Sequence, residues 1–296
     1  MSATAAAPPN AGLRPEQIAA RSGSSFLSGF LCLDRARRDG MTAIYAYCRV
    51  VDDAVDEAPD VATGRAHLGF WRAELAAAVA GTAGTPVGAA VQATMRAFGV
   101  APECFEELLA GVAMDLEPKA LGSEADLRLY CHRVASAVGL ACLPVLGATA
   151  AGARNFAEAL GQALQLTNIR RDLRADAQAG RVYVPATWLA EVGVEAAWLG
   201  GGAPDAVYAP GGPMARLCTR LEAAARAEFA AARAALRSLD PAQRHALVPA
   251  RIMGAVYRDL LARLERRRGD LRGERVRVPK LRKMWLALTV FAGVRQ

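Results

Sequence analysis

The stretch Ala163-Leu164-Gln165-Leu166-Thr167-Asn168-Ile169-Arg170-Arg171-Asp172-Leu173-Arg174-Ala175-Asp176 carries two patterns at once. Ala163, Leu164, Leu166 and Ile169 fall at helical spacing. Gln165, Asn168 and Asp172 follow i, i+3, i+7, and Asp176 stands one turn beyond Asp172. At 3.6 residues per turn the amides and carboxylates share one face of a helix whose other sides are apolar. Such a helix is predicted to be buried, and its polar stripe must find a partner.

A second stretch repeats the arrangement. In Asp52-Asp53-Ala54-Val55-Asp56-Glu57, Asp52 and Asp56 lie one above the other, with Arg49 and Tyr45 one and two turns earlier on the same face. Val50, Val51, Ala54 and Val55 occupy the opposite side. Magnesium takes oxygen ligands, commonly one or two carboxylates completed by water and substrate phosphate. Two facing helices, each with an Asp pair, can therefore hold several Mg²⁺ ions around a diphosphate and neutralise the charge that grows as it leaves. Arg49 and Arg171 can clamp its oxygens. One acidic cluster alone is commonly a solvated helix face. Two of them, each on an apolar helix with amides and arginines in register, favour a metal site.

Outward from these motifs the chain is helical in character. Its 296 residues are 53% hydrophobic but only 6% aromatic, and alanine, the strongest helix former, dominates. Gly and Pro punctuation predicts helices near 15–21, 25–33, 38–57, 63–80, 87–98, 102–117, 123–137, 140–150, 153–176, 213–238, 241–268 and 280–292. The Gly- and Pro-rich stretch 200–213 is predicted to be a surface loop. No fixed-period repeat and no βαβ pattern occurs, so one all-α domain over 15–296 is expected behind a disordered lead at 1–14.

Six cysteines without a CxxC pair suggest buried free thiols in a reducing compartment. The start lacks the basic and apolar regions of a signal peptide, and no apolar run is expected to reach the roughly 18–20 residues of a membrane span. The expected location is cytoplasmic. The net charge of +7 is concentrated: nine basic and two acidic residues lie between Arg266 and Lys283. Followed by Met284-Trp285-Leu286-Ala287-Leu288, this segment reads either as a solvated basic tail or as a peripheral contact, through 266–292, with anionic lipid at the inner face of the membrane. Nucleic acid is not expected as a partner, because no stacking aromatics alternate with the arginines. His67, His132 and His245 form no metal or catalytic set.

With these motifs in place, the chain resembles the squalene/phytoene synthase family of head-to-head prenyl synthases. The likeness covers nearly everything after the lead. It includes Ser24-Ser25-Phe26, the run Ala43-Ile44-Tyr45-Ala46-Tyr47-Cys48-Arg49 into the first Asp motif, and Tyr130-Cys131-His132-Arg133-Val134-Ala135-Ser136-Ala137-Val138-Gly139. Its most specific part is Ala163 to Asp176 with Gly180-Arg181-Val182-Tyr183-Val184-Pro185; Tyr257 and Glu274-Arg275-Val276 also fit.

The resemblance implies an all-α, single-domain isoprenoid synthase bundle with a central cavity. It implies Mg²⁺, with Mn²⁺ as a substitute, at Asp52, Asp53, Asp56, Asn168, Asp172 and Asp176. Ser24, Ser25, Arg49, Gln165, Asn168, Arg171, Tyr183 and Arg275 would contact diphosphate. Asp52, Asp56, Tyr130, Asp172 and Asp176 would be catalytic, and Phe26, Val134 and Gly139 would line the cavity. Three departures stand out: Ala175 replaces a usual third acid, Arg174 a small or acidic residue, and Arg170 an aliphatic one.

The implied partners are prenyl diphosphates, together with other enzymes of isoprenoid biosynthesis. Val134 to Gly139 and Arg275-Val276-Arg277-Val278-Pro279-Lys280 are most similar to bacterial members, of squalene and hopanoid pathways, that join two farnesyl diphosphates and stop at presqualene diphosphate. The alternatives are phytoene formation from geranylgeranyl diphosphate, or a squalene- or hydroxysqualene-forming variant. No NADPH is expected, because no dinucleotide fingerprint is visible.

Overall fold

The computed structural model describes residues 8–22, 30, 33–116 and 120–293, and among these there is no strand. The helices are α1 Pro15–Ser22, α2 Arg35–Asp56, α3 Val61–Ala80, α4 Pro86–Phe98, α5 Glu103–Ala113, α6 Glu124–Cys131 and α7 Ala137–Leu146. They continue as α8 Ala151–Gln178, α9 Ala186–Val192, α10 Ala196–Leu199, α11 Pro213–Arg237, α12 Pro241–Ala246, α13 Val248–Glu265 and α14 Lys280–Phe291. A π-helical segment, His132–Ser136, joins α6 to α7, and a 3₁₀ turn spans Asp205–Tyr208.

Local chemistry sets the helix starts. Asp34, Asp60, Thr85 and Asp240 each accept a hydrogen bond from a backbone N–H in the first turn, and Ser123 with Asp126 forms a reciprocal capping box. Pro86, Pro213 and Pro241 stand in first turns, where a missing N–H costs nothing. α8 lies along α11 over much of its length and also meets the π segment, α7 and α13. It is therefore the central staff of the bundle.

The structure corrects three boundaries. The break expected between two helices near Gly139 is absent: the chain runs as one helix from Glu124 to Leu146, carried through the π segment. That 23-residue helix is long and apolar enough to span a membrane by composition, but half of its apolar window is buried in the bundle. It is a core helix. The single helix expected over 241–268 is divided at Leu247, whose ψ of 8° leaves the helical range two residues before Pro249. Residues 8–14, expected to belong to a disordered lead, are packed: Ala11 joins the main core and Ala11 N–H donates to Pro8 O. α9 and α10, and the turn within the 200–213 loop, had no sequence prediction. Cys48, Cys104, Cys131, Cys142 and Cys218 are free thiols.

Candidate active site

α2 and α8 bring their polar stripes to one place. Asp52 and Asp56 from α2 and Gln165, Asn168, Arg171, Asp172 and Asp176 from α8 line a common recess of about 340 Å³. Tyr130 and Val134 enter from α6 and the π segment, Asp115 from the turn after α5, and Arg181 and Tyr183 from the strap that follows α8. The strap is aimed by Gly180. Its φ of +80° lets the chain reverse, with Arg181 N–H donating to Asp176 O at 2.8 Å, as in a helix-ending glycine motif. Arg181 Nη1 then reaches Asp56 Oδ1 at 2.7 Å.

Guanidinium groups already hold part of the acidic set. Arg275 Nε and Nη2 donate to the two oxygens of Asp172 at 2.7 and 2.8 Å, and Arg171 Nε donates to the same carboxylate at 2.9 Å. Burial alone would raise the Asp172 pKa, but the hydrogen bonds and charges of Arg171 and Arg275 outweigh it and hold the group below the usual carboxylate range. Asp52 and Asp176 lack such a clamp. Burial among the surrounding protein groups and the neighbouring charge of Asp56 push Asp52 up to about 7, although its side chain keeps an exposed surface toward the recess. Burial and the charge of Asp172 do the same to Asp176, also about 7. Asp115 is raised by burial, less so because Tyr183 OH and Tyr130 OH donate to its two oxygens at 2.8 and 3.2 Å. Those two rings stack, with centroids 4.6 Å apart.

An apolar cavity of about 300 Å³ opens from the recess, and Asp52, Val134, Gln165 and Asn168 border both. Its walls include Val138, Gly139, Leu160, Leu164 and Met253. The π segment is pressed onto α8 at Gly161, where an added Cβ would lie 2.5 Å from Ser136 Cα and 2.6 Å from Ser136 N. Ser136 Oγ–H donates to Glu158 O in the same contact. The extra residue of a π turn thus shifts Val134 and Tyr130 relative to a regular helix, as π segments at functional sites commonly do.

Most of the expected site residues converge. Asp52, Asp56, Tyr130, Gln165, Asn168, Arg171, Asp172, Asp176, Tyr183 and Val134 line the recess, Gly139 lines the cavity, and Arg275 reaches the recess through Asp172. Ser24, Ser25 and Phe26 lie outside the described residues. Asp53 and Arg49 are placed differently from expectation. Asp53 is buried away from the recess lining, where Arg49 pairs with it and Asn10 Nδ2 donates to it at 3.4 Å. On a helix Arg49 stands about 60° from Asp52 but only about 40° from Asp53, so it turns to the nearer acid.

Sequence reasoning gave no role to Asp115 or Arg181. Asp115 sits alone at the end of an apolar helix with no spacing to mark it, and Arg181 gains its place from the turn at Gly180. The departure at Arg170 has a structural reason: the residue faces away from the recess, only 2% exposed, with Nε 2.8 Å from Glu222 Oε1 on α11.

The recess fits a divalent cation. Its donors are hard oxygens, three of its carboxylates are strained by like charge or burial, and Asn168 Oδ1 is buried without a partner. Among the described residues no three acidic or sulfur- or imidazole-bearing side chains converge closely enough to enclose an ion unaided. That suits a site completed by water and a phosphate-bearing ligand.

A polar, cation-hungry recess bordered by arginines and opening on an apolar cavity defines an all-helical site for an anionic head and a hydrocarbon tail. The family model for squalene/phytoene synthases matches residues 19–282. A presqualene diphosphate synthase of Rhodopseudomonas palustris is 37% identical over 240 residues, covering 81% of this chain and 82% of that protein. A phytoene synthase of Arthrospira platensis is 32% identical over 282 residues, covering 90% and 88%. The crystal structure of a dehydrosqualene synthase superposes with a TM-score of 0.79 at 25% identity, covering 95% of each chain. The chain belongs to the squalene/phytoene synthase family.

Proposed function

We propose that the protein is a prenyl transferase that condenses two farnesyl diphosphates head to head and releases presqualene diphosphate, with Mg²⁺ as its metal. The observation that carries this reading is the continuity of the two chambers, with Asp52, Val134, Gln165 and Asn168 on the border between acidic recess and apolar cavity. A presqualene diphosphate synthase that is 37% identical over four-fifths of the chain supports the choice of product.

Asp52, Asp56, Asn168, Asp172 and Asp176 would hold the metal. When bound, it neutralises charge on the departing diphosphate. Arg171, Arg181 and Arg275 offer forked donors to the diphosphate oxygens. The C1–O bond of one substrate breaks, its electron pair leaves with the diphosphate, and an allylic cation remains. The double bond of the second substrate attacks that cation, and loss of a proton to the released diphosphate closes the cyclopropane ring. Tyr130 and Tyr183, fixed by Asp115, orient the reacting carbons, and the cavity walls keep water from the cation.

The test is product analysis. Purified protein with Mg²⁺ and no reductant is offered farnesyl or geranylgeranyl diphosphate, and the lipids are identified by mass. A C30 cyclopropyl diphosphate from farnesyl diphosphate is the expected result. The Arthrospira phytoene synthase favours one other reading, and a C40 hydrocarbon from geranylgeranyl diphosphate would establish it instead.

A further inference from the structure

We propose that α14 is a membrane-docking helix whose outer face lies in the headgroup region of an anionic bilayer. α14 is apolar on two opposite sides. Leu286 and Val290 pack inward against Ala255, Val256, Leu260 and Leu264 of α13, forming a small core of their own. The opposite face presents Leu281, Met284, Trp285, Leu288 and Phe291, each between 43% and 79% exposed. At 100° per residue these five fall within about 120° of arc, centred opposite Leu286 and Val290. The other exposed large apolar residues among those described, Val61, Val79 and Leu129, lie on α3 and α6. Single exposed side chains are ordinary, whereas a five-residue face on one helix marks a contact surface.

The charge around this face selects the occupant. Nine basic and two acidic residues lie between Arg266 and Lys283, six of the basic ones before the helix and three in its first turn. Arg277 and Lys280 are exposed, and neither takes part in an ion pair among the described residues. Arg282 stacks over the Trp285 ring at 4.4 Å while pairing with Asp259, which leaves an amphipathic indole at the edge of the face. An apolar stripe with a basic surround matches an anionic lipid surface. A two-fold dimer through the same face would set two copies of the cationic stretch against each other.

Position gives the docking a purpose. Arg275, which grips Asp172 in the recess, lies five residues before Lys280, so at most about 18 Å of chain separates the recess from the lipid-facing helix. On the prenyl reading, this tethers the recess within reach of the phase into which the hydrocarbon part of a C30 product partitions. The docking itself does not depend on that reading.

The test uses the full chain and vesicles of phosphatidylcholine with or without phosphatidylglycerol, at low and high salt. The protein is expected to sediment with the anionic vesicles only, less so at high salt, and Trp285 emission is expected to shift to the blue. Leu281→Ser with Leu288→Ser should weaken binding roughly tenfold or more. Arg277→Gln and Lys280→Gln should each weaken it about fivefold. Turnover of detergent-dispersed substrate should stay unchanged in all of them, which separates failure of docking from failure of the catalytic reading. Absence of binding to anionic vesicles, or equal binding by the leucine variant, overturns the proposal. So does loss of a dimer in that variant without any vesicle effect, which would make a second copy the occupant.

Discussion

Arg275 reaches back across 103 positions to hold Asp172 through two parallel hydrogen bonds, Nε to Oδ1 at 2.7 Å and Nη2 to Oδ2 at 2.8 Å. With Arg171 on the same carboxylate, one acidic group of the recess is neutralised before any ligand arrives, while Asp52 and Asp176 are left under the combined strain of burial and like charge. The two acidic motifs are alike in sequence and unlike in electrostatic state.

Replacing the fork by a point charge tests the role of Arg275. Arg275→Lys keeps the charge but loses bidentate geometry. Loss of one charge-assisted hydrogen bond to the diphosphate, about 1.5–3 kcal/mol, corresponds to roughly a ten- to hundredfold fall in kcat/KM. Steady-state kinetics with farnesyl diphosphate measures it, and an unchanged kcat/KM removes Arg275 from the diphosphate site.

Asp52→Asn and Asp172→Asn should each reduce turnover by orders of magnitude yet move stability in opposite directions. In metal-free protein at pH 8, ionised Asp52 opposes folding because its folded pKa is raised, so the Asn variant melts higher than wild type. Asp172 favours folding at that pH because its folded pKa is lowered, so its variant melts lower. Thermal melts in the presence of a chelator decide between this and a common direction.

The same linkage predicts a pH profile. Between the unfolded carboxylate value, about 4, and the folded value of about 7, Asp52 and Asp176 keep protons in the folded state that the unfolded chain has lost. Their contribution to stability therefore declines as pH rises through this window. The double variant Asp52→Asn, Asp176→Asn should show a flatter melting profile than wild type from pH 4 to 8. Added Mg²⁺ should raise the wild-type melting temperature most at the alkaline end, and leave the variant nearly unmoved.

Gly161→Ala should destabilise the protein by about 1–3 kcal/mol, because the new methyl meets backbone atoms of Ser136 that cannot rotate away. Gly139→Ala, whose nearest contact would be Ala157 O at 3.3 Å, should cost less. Denaturant melts of the two variants compare them, and equal stability would remove the close approach as the reason for glycine at position 161.

The helical class and the meeting of the two Asp motifs were legible because both rest on period: apolar residues at helical spacing, with carboxylates one turn apart. Asp115 was not, because a single acid at a helix end has no period and becomes part of the recess only when Tyr130 and Tyr183 fold over it. Arg49 was read as a diphosphate contact on the Asp52 face, whereas it pairs with Asp53: the two acids lie at similar angular offsets on either side of it, and only side-chain geometry decides between them. The π segment was read as a break at Gly139, since one inserted residue leaves the apolar pattern nearly intact. The inward packing of Leu286 was equally hidden, since α14 is apolar on both faces.

The central claim is that α2 and α8 together form one metal-dependent diphosphate site. The most direct measurement is calorimetric titration with a thio-substituted farnesyl diphosphate that does not ionise, with and without Mg²⁺. Tight binding only with Mg²⁺, lost in both Asp52→Asn and Asp176→Asn, is the predicted result. Equal affinity without metal, or binding that either variant leaves intact, would contradict it.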